Sequence, residues 1–252
     1  MGMEAKKLIK KYLRYVKTHR KVSKSTLKNY ESVLKEFIKY PLTEEGLESY
    51  LEAIEEQAPA TQERKIVVIK NFLNWAYYKR IIKEIYWDDL RPPRRKHLPK
   101  WLTPSEIEKA LDLAKYPYRY IFEFLYKTGL RIGELENLKP EDITQENGIY
   151  TLKIHGKGNK ERTIKVKKNV IDLLYKAGFP NLPHRRQIQK EAHKIAKELG
   201  KPFTPHILRH SFAIRILAEG KPITLVKSLL GHSKLDTTAI YTQISSDMVV
   251  LD

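Results

Sequence analysis

The sequence contains no cysteine. This absence excludes disulfide bonds, thiolate metal sites and a cysteine nucleophile. Long apolar runs are missing as well, because no stretch of 18 residues is free of charged side chains, and a transmembrane helix needs about 20 apolar residues. The first residues include no apolar segment of the kind that a secretion signal requires. We therefore expect a cytoplasmic protein without a membrane partner.

Acidic residues are the minority of the charged side chains: 30 Asp and Glu stand against 48 Lys and Arg, a formal charge of +18. Residues 1–100 carry a net charge of +10 and residues 101–252 one of +8. Two basic halves indicate a polyanionic partner such as DNA, although RNA, a membrane surface or the lysine enrichment of thermophiles would also explain the charge. Glutamine and asparagine are scarce beside lysine and glutamate, which suggests a thermophilic source.

Apolar residues recur at helical spacing through the first eighty positions. Four such stripes predict a compact four-helix bundle over residues 1–89. Residues 90–99 combine three prolines with four basic residues, which predicts a semi-extended basic linker because proline fixes φ and removes a donor. Residues 100–252 are then the second domain.

The second domain begins with Thr103-Pro104, typical of a helix start. Alternation at period two in residues 149–154 and 162–166 predicts a β-hairpin with a lysine-rich loop. The rest is helical in pattern, with segments at 168–177, 184–199, 205–219 and 222–230 and a short helix near residue 241. The expected fold class is mainly α with a small β-hairpin or sheet.

Arg131 lies in the segment TGLRIGEL, where a glycine break precedes a new helix. We expect Arg131 in the first turn of that helix, an unusual place for a cation because the helix dipole is positive there. An ordinary surface ion pair with Glu134, three residues later, is the alternative.

His206, Arg209 and His210 share one face of the helix that opens at Thr204. Histidines four residues apart could bind a metal ion. Against a metal site, a guanidinium lies between them and no carboxylate falls on their face. An anion such as phosphate matches His206 and Arg209 better, since a guanidinium forks onto phosphate oxygens.

Three further segments carry polar residues that are ordinary when each is taken alone. The loop in HGKGNKER contains Lys157 between two glycines, which let a loop approach a ligand closely, but a solvated turn is the common outcome. His232 follows a helix that ends at Gly231 in LLGHS, and Tyr241 lies nine residues later in TTAIYT. A single tyrosine is usually a core or interface residue.

Taken in order, TGLRIGEL, HGKGNKER, HILRH, LLGHS and TTAIYT resemble the motifs of the tyrosine recombinases, also called the lambda-integrase family, and most nearly the Xer type. The likeness extends to residues 23–40, 60–82 and 98–112, so it covers essentially the whole chain. It implies an N-terminal DNA-binding four-helix bundle followed by the tyrosine-recombinase catalytic domain.

The resemblance also implies a reaction. Tyr241 attacks a DNA phosphodiester, forming a 3′-phosphotyrosine and a free 5′-hydroxyl, and religation to a new partner proceeds through a Holliday junction. Arg131 and Arg209 are implied to meet the charge on the phosphate. Lys157 resembles the general acid for the leaving oxygen.

Further roles follow from the same resemblance. His206 and His232 are implied to complete the donors to the phosphate, and the near-neutral pKa of histidine makes His206 a candidate base for the tyrosine proton. Glu134 and His210 are implied to support the site. The expected DNA contacts are Lys24, Arg94, Arg95, Lys160 and Arg162.

The implied partner is double-stranded DNA, bound by a homo-tetramer on paired sites that is a monomer or dimer in solution. No metal and no nucleotide cofactor is expected, because carboxylate clusters and a P-loop are both missing from the sequence. The apolar residues 248–251 are expected to pack either on their own domain or on a neighbouring protomer.

Other functions remain open at this point. Type IB topoisomerases relax DNA with the same tyrosine chemistry, and a mobile-element integrase, a DNA-binding protein without activity, a phosphatase or a nuclease would use a similar phosphate pocket. Nor does the pattern distinguish chromosome partition from plasmid maintenance or integration, or identify the DNA sequence, which is read by a few side chains and by DNA shape.

Overall fold

A computed structural model of the protein describes residues 3–20, 22–92, 100–156 and 160–231. The chain divides into two compact units, residues 1–96 and 97–252. In the described ranges, no helix combines the length and the apolar character needed to cross a membrane.

The described residues of the first unit form four helices, as the apolar periodicity predicts. They are α1 (Met3–Arg20), α2 (Lys24–Phe37), α3 (Glu44–Ile54) and α4 (Pro59–Tyr78). Ser23 caps α2 by accepting a hydrogen bond from the Thr26 amide, and Thr43 caps α3 in the same way from the Gly46 amide. Each cap satisfies an amide that has no partner inside its own helix.

Aromatic rings fill the core of the first unit. The ring of Tyr12 lies 5.3 Å from that of Phe72 and 5.2 Å from that of Trp75. The chain after α4 stays packed on this core, because Trp87 is buried and Leu90 contacts the same cluster. The packing therefore extends past residue 89, the predicted end of the bundle. Residues 93–99, with Arg94 and Arg95, lie outside the described residues.

The second unit is helical around one small sheet. Its helices are α5 (Pro104–Leu113), α6 (Tyr118–Thr128), α7 (Ile132–Glu136), α8 (Lys168–Lys176), α9 (Arg185–Leu199), α10 (Pro205–Ala218) and α11 (Ile223–Leu230). Its strands are β1 (Ile143–Glu146), β2 (Ile149–His155) and β3 (Glu161–Lys167). The sheet is antiparallel in the order β1-β2-β3. The predicted short helix near Tyr241 lies outside the described residues.

The predicted hairpin is β2 and β3, with Leu152 opposite Ile164. The third strand, β1, is absent from the sequence prediction because only its first residue is even partly buried, so it has no alternation to detect. A turn signal was nevertheless present: Asn147 and Gly148 connect β1 to β2, both with positive φ. An Asn-Gly pair between strands is a strong hairpin signal.

Helix α10 is buried along most of its length and positions much of the site. Leu208 and Phe212 are buried on it, and α10 packs against both α6 and α11. The end of α11 is fixed to α10 by Val226 and Leu230, which share a cluster with Phe212. Close packing of this kind holds side chains in single rotamers.

Candidate active site

Arg131 follows a left-handed glycine that ends α6. Gly129 ends that helix in the left-handed region, with φ of 66°, and a Cβ atom there would lie 2.4 Å from the Phe212 ring. Arg131 has extended backbone angles and is the N-cap of α7. The predicted position in the first turn is therefore one residue off, because α7 begins only at Ile132. The Arg131 amide donates to the Glu134 carboxylate at 2.8 Å.

Glu134 lies at the centre of the site, with its side chain only 5% exposed. Its Oε1 accepts from Nη1 of Arg131 at 2.7 Å and from Nη1 of Arg162 at 2.9 Å, and its Oε2 accepts from Nη2 of Arg162 at 2.8 Å. Burial by itself raises the pKa of Glu134, but the hydrogen bonds from Arg162 and Arg131 outweigh it and lower the pKa to about 2. Glu134 is therefore an anion at neutral pH.

Arg209 approaches the same carboxylate from α10. Its side chain is 2% exposed, and its Nη1 lies 3.7 Å from Oε2 of Glu134. The same Nη1 donates to the Gly129 carbonyl at 2.6 Å, and Nη2 donates to the Leu230 carbonyl. A buried arginine is stable only when its donors are used in this way.

Two more guanidinium groups reach the carbonyl end of α11. Nη1 of Arg131 lies 3.4 Å from the Leu230 carbonyl, and Nε of Arg162 donates to the Leu229 carbonyl at 2.7 Å. The last carbonyls of a helix carry the negative end of its dipole, which favours cations. We call Arg131, Arg162 and Arg209, gathered around Glu134 and this helix end, the arginine cluster.

His206 lies near the start of α10, whose N-cap Thr204 accepts from the Ile207 amide at 3.1 Å. Its ring packs edge-on against that of His210, with 4.4 Å between the centroids. Partial burial lowers the pKa of His206, and the positive charges of Arg209 and Arg131 lower it further. The neutral imidazole that results at neutral pH is able to accept a proton.

One cleft of the second unit brings these side chains together. It is lined by Arg131, His206 and Arg209, the three residues for which a phosphate contact was expected, and by the exposed Lys160. His210, a predicted supporting residue, is half-buried on the same helix, packed edge-on against His206. The cleft is also lined by polar residues that the sequence analysis did not select: Asn137, His155, Glu161, Arg185, Thr224, Lys227 and Ser228.

His155 is the missed residue with the most defined setting. Its Nε2 lies 2.8 Å from Asp142 and its Nδ1 lies 3.0 Å from Glu161, which also pairs with Lys153 at 3.0 Å. These contacts hold the base of the hairpin loop. The histidine directly precedes Gly156 in the motif HGKGNKER, so its place beside the loop was readable, but its carboxylate partners were not.

Several predicted site residues fall outside the cleft or outside the described chain. Lys157, His232 and Tyr241 belong to residues 157–159 and 232–252, which the structure does not describe. Lys24 is exposed at the start of α2, in the first unit. Arg162, predicted as a DNA contact, does line the cleft, but its side chain is only 11% exposed and all three of its guanidinium nitrogens bind within the protein.

The donor set of the cleft suits an anion. Among the residues that the structure describes, no three histidine, aspartate or glutamate side chains gather as a metal site. Glu134 is already bound by two arginines. Guanidinium groups and an imidazole that converge on one cleft match the oxygens of a phosphate.

Both units are similar to known proteins. Residues 100–177 and 180–248 match the phage integrase family, and residues 9–80 match the N-terminal SAM-like domain of phage integrases. The chain is 33% identical over 245 residues to the tyrosine recombinase XerA of Pyrococcus furiosus, covering 89% of this chain and 85% of that protein. It is 31% identical over 282 residues to XerD of Listeria monocytogenes, covering 94% of each.

A solved structure shares the fold. The lambda integrase tetramer bound to a Holliday junction matches with a TM-score of 0.77 at 18% identity, over 93% of this chain and 76% of that chain. The expected fold class, a helical N-terminal domain with a mostly helical catalytic domain around a small sheet, is confirmed.

Proposed function

Because this chain belongs to the phage integrase family and is a tyrosine-type site-specific recombinase, we propose that it binds the scissile phosphate of duplex DNA with Arg131, His206 and Arg209. The resemblance carried by the five motifs is thereby confirmed. The observation that supports the phosphate site is the cleft itself, where two arginines 78 positions apart in the sequence converge beside one histidine.

The transition state of phosphoryl transfer places negative charge on the non-bridging oxygens of the phosphate. Fixed donors stabilise it best when they are already oriented and partly shielded from water. Arg209 is oriented by two backbone carbonyls, and Arg131 by Glu134. In this proposal Arg131 turns Nε and Nη2 towards the phosphate, and Arg209 adds a fixed positive charge beside it.

Tyr241 is the proposed nucleophile. Its oxygen forms a bond to phosphorus while the bond from phosphorus to the 5′-oxygen breaks, which leaves a 3′-phosphotyrosine. The tyrosine proton passes to neutral His206, Lys157 donates a proton to the departing 5′-oxygen, and His232 donates to the phosphate. The energy of the broken ester is retained in the new one, so religation needs no nucleotide.

Duplex DNA is the proposed partner, held as four protomers on two paired sites. The charge of +18, divided between both halves of the chain, supports a partner that both units bind. The similar lambda integrase forms a tetramer on a Holliday junction. The similarity to recombinases named Xer does not favour a topoisomerase that only relaxes DNA.

The proposed function is tested by trapping the covalent intermediate. The recognition sequence is first selected with purified protein from a randomised duplex library and then made with a nick beside the cleavage site, so that the cleaved strand diffuses away. We expect a protein–DNA adduct at the 3′ end in EDTA and without ATP. An adduct that forms only when Mg²⁺ is restored, or no adduct at all, would contradict the proposal.

Lys157 has a separate test. Lys157→Ala is expected to lower cleavage of ordinary DNA by about 10²-fold, the size of a general-acid contribution. A substrate with sulfur as the 5′ leaving atom needs no proton and should restore the rate. Arg131→Ala, the matched control, should stay slow on both substrates. If sulfur rescues both variants equally, or neither, Lys157 is not the acid, and Lys160 in the same loop is the next candidate.

A further inference from the structure

Arg162 binds Glu134 in a way that limits how Arg131 can contact the same carboxylate. Arg162 pairs with both carboxylate oxygens, through Nη1 at 2.9 Å and Nη2 at 2.8 Å. Arg131 reaches the same carboxylate with the single side-chain nitrogen Nη1. Within the described ranges, no hydrogen bond from Nε or Nη2 of Arg131 is found.

Arginine and carboxylate groups frequently pair through two parallel hydrogen bonds. Glu134 lies three residues after Arg131 in the chain and already contacts its side chain. The two residues are therefore close enough to form such a pair. A guanidinium closed onto a carboxylate in that manner has fewer donors left for a phosphate. Arg162 opposes this arrangement because Oε2 of Glu134 already accepts from Nη2 of Arg162 and from the Arg131 amide, which uses both lone pairs of that oxygen.

The position of Arg162 is itself fixed. Its Nε donates to the Leu229 carbonyl at 2.7 Å. Gly231 lies against it, and a Cβ atom at that residue would be 3.2 Å from Cδ and from Nη1 of Arg162. Arg162 therefore fastens β3 to both Glu134 and the end of α11, with little room to move.

We propose that Arg162 is a positioning residue for phosphate binding. Because Arg162 pairs with both oxygens of Glu134, the side chain of Arg131 makes only one hydrogen bond to that carboxylate. Nε and Nη2 of Arg131 are then left for the scissile phosphate. The inference rests on the proposed function, since it takes Arg131 as a phosphate ligand.

The test compares single-turnover cleavage of the nicked site by four variants. Arg162→Met should cleave about 10- to 100-fold more slowly, the range seen when a supporting partner of a ligand is lost. Its affinity for one half-site should stay near the wild-type value, because many other phosphate contacts share it. Adding Glu134→Gln should raise the rate several-fold above that of Arg162→Met, because a neutral amide holds Arg131 less strongly.

This recovery separates positioning from a merely structural role, in which losing both members of a buried pair gives no gain in rate. Lys165→Met is the matched control, since it removes one positive charge from an exposed position of the same strand, and it should cleave at close to the wild-type rate. Arg162→Lys keeps the charge but lacks the planar guanidinium, so its cleavage rate should lie between those of wild type and Arg162→Met.

If Arg162→Met melts below the assay temperature, Arg162→Lys and its combination with Glu134→Gln carry the same comparison. Cleavage by the folded Arg162 variant at the wild-type rate, or a double variant no faster than the single one, would overturn the positioning role. Failure of the proposed function looks different: wild-type protein would then form no 3′ adduct at all.

Discussion

Replacing Tyr241 by phenylalanine is expected to reduce the covalent protein–DNA adduct below detection. The substitution removes one hydroxyl oxygen, the atom that would bond to phosphorus, and no other group can replace a nucleophile in the same geometry. Binding to a half-site should remain close to wild type, because affinity is shared among many Lys and Arg contacts with phosphates. The measurement is adduct formation on the nicked site, beside a gel-shift titration of the same duplex.

The chain has 15 tyrosines, which makes a matched control necessary. Tyr175→Phe removes the same atom from an exposed tyrosine on α8 and should form the adduct normally. An adduct that persists in Tyr241→Phe would show that Tyr241 is not the nucleophile. Mass spectrometry of the DNA-linked peptide would then identify the tyrosine that attacks.

Most of the helices could be predicted because their determinants are local. Apolar spacing and caps such as Ser23, Thr103 and Thr204 depend on residues within one or two turns, and each of these caps is seen in the structure. The edge strand β1 has no buried face, so its only signal was the Asn-Gly turn that follows it. A strand that is held mainly by hydrogen bonds to its neighbour is harder to predict from sequence than an element with a buried apolar face.

The setting of Arg162 was partly readable from the sequence. Side chains two residues apart share a face of a strand, so Arg162 lies on the face of Ile164 and Val166, which are buried. What the sequence could not supply was the acceptor, because Leu229 lies 67 positions away.

The ion pair expected as the ordinary alternative for Arg131 is observed, and its role at a phosphate stays a prediction. Arg131 also lines the cleft with His206 and Arg209. Helical spacing placed Arg209 beside His206, but its burial depends on carbonyls from two other segments. Contacts of this kind depend on tertiary packing and produce no periodic pattern in the sequence.

Because Arg209 is buried, replacing it is expected to affect both the cleavage rate and the stability of the domain. Arg209→Ala and Arg131→Ala should each slow cleavage by about 10²–10³-fold, the cost of one preorganised donor. Half-site affinity should weaken much less in both variants, because the salt-dependent contacts elsewhere remain. Equal losses of affinity and of cleavage rate would mean that these arginines only hold DNA.

Stability is expected to divide the two variants. Arg209→Ala leaves the carbonyls of Gly129 and Leu230 without this donor, and removes a cation from buried Glu134. Breaking a buried pair of this kind costs about 3 kcal/mol, which for a domain of this size lowers Tm on the order of 6–12 °C. Arg131 is 43% exposed and Glu134 keeps Arg162, so Arg131→Ala should cost about 1 kcal/mol or less.

Thermal unfolding of the two variants beside wild type measures this difference, and Arg209→Lys completes the set. Lysine retains the charge near Glu134 but cannot donate to both carbonyls from a planar fork, so its Tm should be intermediate while cleavage stays slow. A Tm for Arg209→Ala equal to that of wild type would show that the carbonyl contacts do not stabilise the fold. A larger fall for Arg131→Ala than for Arg209→Ala would reverse the assignment of which arginine supports the domain.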